Sequence, residues 1–257
     1  MIAGASDGTG AAFARHVAAH GVNVVLVARR AALLEDVARS VGTEARVVAL
    51  DLSRDDAAAE LAAATEDVEV GFFVYNAGAD PHSMPVLETP VGDLRSLVRR
   101  NCNTVLDTCC HFGLAMVQRG RGGLVLVTSG AAWAGARYVA TYAATKAFDL
   151  VLAEGLWAEW HDGGVDVLSL VLGATDTPSL HRLLDRHGGD FGVLADADAV
   201  VAEALEHLHD GPTWSYGMPD PAGPALLGQL PRREAVLLMS QGAAAVFAEG
   251  QPGVPST

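Results

Sequence analysis

The segment Gly4-Ala5-Ser6-Asp7-Gly8-Thr9-Gly10 follows the first apolar residues of the chain and precedes the first helical pattern. Glycines in such a turn let the backbone bend tightly and approach a pyrophosphate closely. A helix that follows directly points its free N–H groups and the positive end of its dipole at the phosphates. The turn therefore predicts a dinucleotide site at the start of the fold.

Beyond this turn, apolar runs alternate with helical patterns, which is typical of parallel βαβ units. The runs are rich in Val and Leu, as strands buried on both faces are. The predicted strands are Asn23–Ala28, Arg46–Leu50, Val70–Tyr75, Leu124–Thr128, Val165–Leu172 and Thr213–Tyr216. The predicted helices are Gly10–His20, Ala31–Val41, Asp55–Ala63, Asn101–Gln118, Thr141–His161 and Ala197–His209. We expect an α/β fold, namely a Rossmann-type doubly wound parallel sheet with helices on both faces, in a single domain.

The two ends of the chain depart from this regular pattern. Only three residues precede Gly4, whereas a strand usually has about five or six residues. Either the first strand is truncated or the chain begins at an internal start codon, and we favour the second hypothesis. A Gly/Pro cluster at Gly217–Pro224 separates a main domain, residues 1–217, from a C-terminal helical segment and tail, residues 218–257. That segment contains an amphipathic stretch, Arg232–Phe247, and a frayed end, Gly250–Thr257.

The composition argues against several classes of function. The 257 residues carry a formal net charge of −14, whereas nucleic-acid binding and attraction to anionic lipid both need basic patches. No apolar run reaches the length of about 18 residues that predicts a membrane span, and no signal peptide is visible. Cys102, Cys109 and Cys110 form no CxxC pair, which suits a reducing cytosol. The histidines show no metal-ligand spacing, so we expect no metal. From the cysteines we expect a cytoplasmic protein.

The pentapeptide Tyr142-Ala143-Ala144-Thr145-Lys146 carries the most specific chemical signal. Of the chain's 17 lysines and arginines, only Lys146 is a lysine. Residues i and i+4 of a helix share one face. An ammonium beside a phenol favours the phenolate and lowers the pKa of the tyrosine, which allows proton transfer near neutral pH. The pair predicts a general acid/base, and an ordinary surface pair is the alternative.

The residues after the second predicted strand indicate which dinucleotide binds. A fold that prefers NAD places Asp or Glu about 20 residues past the glycines, on the ribose hydroxyl. Ala28 takes that place here, and Arg29 and Arg30 follow it. A guanidinium binds a 2′-phosphate in bidentate fashion. We expect NADP(H) in preference to NAD(H), although Asp7 in the turn is a counter-argument and the arginines are alternatively a surface cluster.

These residues together resemble the short-chain dehydrogenase/reductase family, from Gly4 to about Tyr216. Asp51-Leu52 is similar to the pair that contacts adenine. Asn76-Ala77-Gly78 resembles the family's Asn-Asn-Ala-Gly, with Tyr75 in place of the first Asn. Residues 1–217 then form an NADP-binding catalytic domain. The resemblance implies cofactor contacts from Gly4, Ser6, Asp7, Gly8, Thr9, Gly10, Arg29, Arg30, Asp51, Leu52, Asn76, Ala77, Gly78, Tyr142, Lys146, Gly173, Thr175 and Thr177.

The same resemblance implies a catalytic tetrad of Asn101, Ser129, Tyr142 and Lys146. Asn101 matches the family's active-site Asn, and Ser129 stands 13 residues before Tyr142, which is the family's spacing. The rivals for these two positions are Asn103 and Thr128. One departure is Leu172-Gly173, where the family has Pro-Gly, and we expect a looser loop there.

The reaction implied is hydride transfer between a nicotinamide and a carbonyl or secondary alcohol. Tyr142 exchanges the proton, and Lys146 lowers the pKa of that tyrosine and binds the nicotinamide ribose. Ser129 stabilises charge on the substrate oxygen, and Asn101 holds a water that connects Lys146 to solvent. Two alternatives remain open: a non-redox isomerase, dehydratase or cyclase on the same fold, and a non-catalytic dinucleotide-binding protein.

Two further expectations concern the substrate and the assembly. A loop at Pro178–Leu194 is expected to cover the pocket, with walls from Met84, Trp133 and Tyr138. The alternative is that its side chains only pack the lid onto the domain. Its leucines favour a fairly apolar carbonyl or alcohol substrate. The Thr141–His161 helix is apolar on more than one face, so a second subunit is expected against it and Asn101–Gln118, in a homodimer or homotetramer.

Overall fold

The computed structural model describes residues 1–216 and 227–248, and the strands within them form one parallel sheet. The seven strands of this described part follow the order β3-β2-β1-β4-β5-β6-β7. The chain thus starts at the centre, winds to one edge, and returns to build the other half. The strands are β1 Ile2–Ala3, β2 Val24–Ala28, β3 Ala45–Ala49, β4 Phe72–Tyr75, β5 Gly122–Ser129, β6 Val165–Leu172 and β7 Thr213–Tyr216. This order confirms the predicted Rossmann-type doubly wound fold.

Helices pack on both faces of the sheet. They are α1 Gly8–Ala19, α2 Ala31–Ser40, α3 Ala57–Ala64, α4 Val91–Val98, α5 Thr104–Arg119, α6 Ala140–Trp160, α7 Pro178–His187, α8 Ala197–Glu206 and α9 Arg232–Phe247. Successive side chains of a strand point to opposite faces. On β5, Val125 and Val127 enter a core shared with α1, α2 and α8, whereas Leu124 and Leu126 enter one shared with α3, α5 and α6. The alternation therefore explains why strands so uniformly apolar are buried on both sides.

The first strand is short, as its sequence predicts. The carbonyl of Met1 accepts from Val74 at 2.9 Å, and the amino group of Met1 donates to Phe72 at 2.7 Å. Gly4 then donates to Val27 at 2.7 Å, where the chain leaves the sheet. Although β1 has only two residues, it pairs with both β2 and β4 and so holds the glycine turn at the centre of the sheet.

The predicted strands are all present with bounds shifted by at most two residues, but the helix predicted from Asn101 is wrong at its start. Helix α4 begins at Val91, and a π-helical turn, Arg99–Asn103, joins it to α5. Leu97 is the one buried residue of α4. This helix, which is only eight residues long, was not predicted from the sequence.

The prediction of a loop over Pro178–Leu194 is also wrong, because residues 178–187 form helix α7. Thr177 caps the helix by accepting from the backbone N–H of Leu180 at 3.2 Å, and Pro178 occupies the first turn. Gly188 ends it in the left-handed conformation, with φ of 74°. These are the ordinary start and stop signals of a helix.

The C-terminal stretch Arg232–Phe247 forms helix α9, as predicted. The Gly/Pro cluster Gly217–Pro224 and the end Gly250–Thr257 lie outside the described residues, and the division into residues 1–217 and 218–257 stays a prediction. In the described ranges, the chain contains no helix with the length and apolarity needed to cross a bilayer.

Replacing Leu34 by Ala tests the packing of α2 on the sheet. Leu34 is 0 % exposed, so we expect Leu34→Ala to lower the free energy of unfolding by about 2–5 kcal/mol. The matched control is Leu87→Ala, because Leu87 is 99 % exposed and its truncation changes stability by about 0.5 kcal/mol or less. Urea unfolding followed by circular dichroism measures both variants, and equal losses would contradict this packing.

Candidate active site

The glycine turn packs against the end of β4 with no space for side chains. Gly4 has a φ of +88°, and a Cβ atom there would lie 2.7 Å from the backbone nitrogen of Ala77. A Cβ on Gly10 would collide with the carbonyl oxygen of Gly4, which also accepts from Asn76 Nδ2 at 3.0 Å. Thr9 is buried in the first turn of α1. The close-packed turn and the N-terminus of α1 fit the diphosphate of a dinucleotide.

Asp7 in this turn is neutralised by arginines from two other segments. Arg30 Nη2 lies 2.6 Å from Asp7 Oδ2 and donates to Ser6 Oγ at 3.0 Å. Arg182 on α7 lies 3.4 Å from the same Asp7 oxygen. The negative charge that argued against NADP is therefore compensated within the protein. Arg29, next to Arg30, is exposed as well.

The Asp51-Leu52 pair follows β3 at the same edge of the sheet. Ser53 donates to Asp51 Oδ1 through its backbone N–H at 2.9 Å and its hydroxyl at 2.8 Å. Burial alone would raise the pKa of Asp51, but these hydrogen bonds and the charges of Arg29 and Arg100 hold the pKa below its usual value. Leu52 is buried, and its carbonyl accepts from the Thr104 hydroxyl at 2.8 Å.

Lys146 is buried at the carboxyl edge of β4 and β5. It is 3 % exposed, and its Nζ donates to the carbonyl of Val127 at 2.8 Å. The same nitrogen forms an ion pair of 2.9 Å with Asp149 Oδ2. A Cβ on Gly78 would lie 2.7 Å from Nζ, so the ammonium approaches the bare backbone of Gly78. A glycine is required there because any side chain would displace the lysine.

Asn101 lies in the π-helical turn and is completely buried. Its Nδ2 donates to Gly78 O at 3.0 Å and to Thr145 Oγ1 at 2.9 Å. Its Oδ1 accepts from Arg100 Nε at 3.2 Å. Both amide hydrogens are thus donated to protein groups, and only the oxygen can accept one more bond. The side chain ties the end of β4 to α6, while its predicted contact with a water stays a prediction.

Ser129 and its rival Thr128 differ in what their hydroxyls contact. Thr128 is buried and donates to the carbonyl of Lys146 at 2.8 Å, so its hydroxyl stabilises α6. Ser129 is the last residue of β5, is partly exposed, and accepts from the backbone N–H of Ala131 at 3.2 Å. Its hydroxyl hydrogen is not used in that bond. Of the two, Ser129 is therefore the residue able to donate to a ligand.

The segment after β6 is held by several hydrogen bonds, although Leu172 stands where the family has Pro. Gly173 donates to the carbonyl of Tyr216 at 3.1 Å. Thr175 is buried, donates to Gly173 O at 3.2 Å, and forms a β-bridge with Ala195. A Cβ on Gly8 would lie 2.7 Å from Thr177 Cγ2, so this segment touches the glycine turn.

Helices α7 and α9 form an apolar cover that packs against Tyr142 of α6. Tyr142 is half-buried and packs on a cluster with buried Tyr138 and with Leu183 of α7. Phe247 of α9 belongs to the same cluster and meets the His187 ring edge-on, with 5.4 Å between ring centroids. Trp133, predicted to line the pocket with Tyr138, packs instead in another cluster with Leu150 and Val171.

Comparison with known proteins identifies the family. The profile described as short chain dehydrogenase matches residues 1–187, which is more than half of the chain. The chain belongs to the short-chain dehydrogenase family. It is therefore an oxidoreductase of this family, and the resemblance drawn from its motifs is confirmed.

Relatives and solved structures agree with this assignment. The 7β-hydroxysteroid dehydrogenase of Collinsella aerofaciens is 34 % identical over 218 residues, which cover 81 % of each chain. A structure from a study of 7β-hydroxysteroid dehydrogenase stereoselectivity has a TM-score of 0.83 and 30 % identity, with 93 % of this chain and 95 % of that chain covered. A short-chain dehydrogenase from Sphingobium yanoikuyae in complex with NADPH has a TM-score of 0.75 and 26 % identity, with 90 % and 95 % covered.

Two residues of this short-chain dehydrogenase site were missed by the sequence analysis. Asp149 pairs with Lys146, and Arg182 approaches Asp7. The signal for Asp149 was an acidic residue inside the apolar run Ala147–Leu152, three residues after the only lysine. Arg182 gave no such signal, because it lies 175 positions from its partner in the chain.

Alanine at Asn101 tests the bond network around Gly78. We expect Asn101→Ala to lower the free energy of unfolding by about 1–3 kcal/mol, because Gly78 O and Thr145 Oγ1 lose a buried donor. The matched control is Asn103→Ala, since Asn103 is exposed in the same turn. Chemical unfolding of both variants provides the comparison. A larger loss for Asn103→Ala would contradict the assignment of the buried role to Asn101.

Proposed function

We propose that the protein is an NADP(H)-dependent oxidoreductase that interconverts a carbonyl and a secondary alcohol by hydride transfer, with Tyr142 as general acid and base. The observation that carries this proposal is the position of Lys146. Its ammonium lies against Gly78, and the neighbouring Ala77 packs on Gly4 of the glycine turn. The lysine and the proposed dinucleotide turn therefore lie at the same edge of the sheet. Tyr142 stands four residues before Lys146 on α6.

The residues of the chain then take distinct parts in the reaction. When bound, NADP(H) supplies or accepts the hydride. Tyr142 donates its phenolic proton to the substrate oxygen during reduction and removes a proton during oxidation. Ser129 donates a hydrogen bond to the same oxygen and stabilises the charge that develops there. Lys146 places a positive charge beside the reacting groups and binds the nicotinamide ribose, while Asn101 fixes Gly78.

Several features support NADP(H) as the cofactor. Arg29 is exposed beyond β2, and Arg30 lies next to it at the start of α2. The pairing of Asp7 with Arg30 and Arg182 removes a charge that would repel a 2′-phosphate. A guanidinium pair at this place suits a phosphate dianion. The related dehydrogenase from Sphingobium yanoikuyae, whose structure contains NADPH, agrees with this choice.

The apolar cover supports a bulky apolar substrate. Tyr138, Leu183 and Phe247 pack with Tyr142 in one hydrophobic cluster. A relative that is 34 % identical is a 7β-hydroxysteroid dehydrogenase. We therefore propose a hydroxysteroid or a similar ring ketone as the substrate class. A panel of such compounds, assayed with NADPH and NADH, tests the proposal, and product formation without cofactor oxidation would indicate the non-redox alternative.

We further propose that the protein works in the cytoplasm as a homodimer or homotetramer, a state that light scattering measures. Val151 on α6 is 64 % exposed and Leu114 on α5 is 61 % exposed. Apolar side chains on two neighbouring helices favour burial against a second subunit.

Replacing Tyr142 by Phe tests the acid/base role. We expect Tyr142→Phe to lower kcat by about 10²–10⁴-fold, because the proton donor is lost, while the fold and NADPH binding stay intact. Tyr216→Phe is the matched control, because the Tyr216 side chain packs in the core on the side of α1 and α8. Steady-state kinetics and NADPH fluorescence titration measure the two effects. Turnover of Tyr142→Phe near the native rate would refute the role.

Removing both arginines after β2 tests the cofactor preference. We expect the double variant Arg29→Ala, Arg30→Ala to raise the Kd for NADPH by about 10–100-fold, because a charge-assisted contact is lost, with a much smaller change for NADH. Arg39→Ala is the control, since Arg39 lies on the same helix α2 and pairs with Asp36 on the surface. Equal weakening of both cofactors would argue against binding of the 2′-phosphate.

A further inference from the structure

The ammonium of Lys146 has an acidic partner that the proposed reaction does not use. Asp149 lies one turn further along α6, with Oδ2 at 2.9 Å from Lys146 Nζ. Asp149 is 2 % exposed and Lys146 is 3 % exposed, so water does not screen the pair. The second oxygen, Oδ1, is buried and accepts no hydrogen bond from any group in the described parts of the chain. The positive charge that compensates this buried carboxylate is therefore that of Lys146.

The titratable groups near Asp149 come from four elements of the fold. Lys146 is on its own helix, Tyr75 is on β4, Cys102 is in the π-helical turn, and Cys109 is on α5. Among these neighbours Lys146 is the only cation. Burial raises the pKa of Asp149, and the charge and hydrogen bond of Lys146 oppose that effect. The two residues therefore depend on each other for their charged forms.

Two of the three hydrogens of the Lys146 ammonium are donated to the protein. An ammonium has three donors. One points to Val127 O and one to Asp149 Oδ2. These two contacts leave one hydrogen of the ammonium for a bound ligand. The position of the ammonium beside the reacting groups is thus defined by β5 and by Asp149.

We propose that Asp149 is a positioning residue that supplies the counter-charge for Lys146 and holds its ammonium at the reaction site. The inference rests on the proposed function for the part that Lys146 plays in turnover. Loss of the carboxylate leaves a buried ammonium with a carbonyl as its remaining partner. Burial disfavours a charge without a counter-charge, so the lysine then loses its proton at a lower pH.

The single lysine allows a direct test by NMR. Protein made with ¹³Cε-lysine gives one ε signal, that of Lys146. We expect this signal to keep its ammonium position to a higher pH in the native protein than in Asp149→Asn, with midpoints that differ by about 1 pH unit or more. Glu159→Gln is the matched control, because it removes one exposed carboxylate from the same helix. Equal midpoints in native protein and Asp149→Asn would overturn the proposal.

The pH dependence of turnover separates positioning from a merely structural role. We expect the alkaline fall in kcat to move to lower pH in Asp149→Asn and to stay in place in Glu159→Gln. A lower melting temperature with an unchanged pH profile would overturn the proposal, since that is the signature of packing alone.

The pairing of Asp149 with Lys146 can be tested even if the variant does not fold or the activity assay gives no turnover. If Asp149→Asn does not fold, acid titration of the native protein still decides, because protonation of Asp149 removes the charge beside the ammonium and moves the ε signal, whereas a flat signal overturns the pairing. If no ketone is reduced although the ε signal responds as expected, the proposed function fails and the pairing of Asp149 with Lys146 stands.

Discussion

The buried ammonium of Lys146 sets the main constraint on this structure. A charge with so little contact with water must be surrounded by acceptors and a counter-charge. Val127 at the end of β5 supplies a carbonyl, and Asp149 supplies the charge. The bond to Val127 requires that α6 lies across the carboxyl edge of β5, and the bond from Thr128 to the Lys146 carbonyl fixes the helix there.

The same edge of the sheet connects the glycine turn to Lys146 and Asn101 through backbone contacts. Gly4 packs on Ala77, the next residue Gly78 faces Lys146, and Asn101 holds the carbonyl of Gly78. Each contact needs a small residue or a buried amide because the backbones are too close for larger side chains. A change in the glycine turn would therefore displace Gly78 and Lys146.

The prediction from sequence succeeded for features that depend on residues within a single helix or strand. The order of strands and helices follows from local apolar periodicity, and the spacing from Tyr142 to Lys146 places both on one face of α6. It failed at α4, whose buried stripe is a single residue, Leu97. The helix signals around Thr177 and Gly188 were present in the sequence but were taken for a loop.

The sequence by itself determined the doubly wound order, the glycine turn and a helix that carries both Tyr142 and Lys146, because these depend on neighbouring residues. Only the tertiary structure decided that the pair of Lys146 and Asp149 is buried, because α6 is apolar on several faces and the pattern could not tell which face meets the sheet. It alone also brought Arg182 to Asp7, since a contact between distant segments exists only once both have packed on the same core.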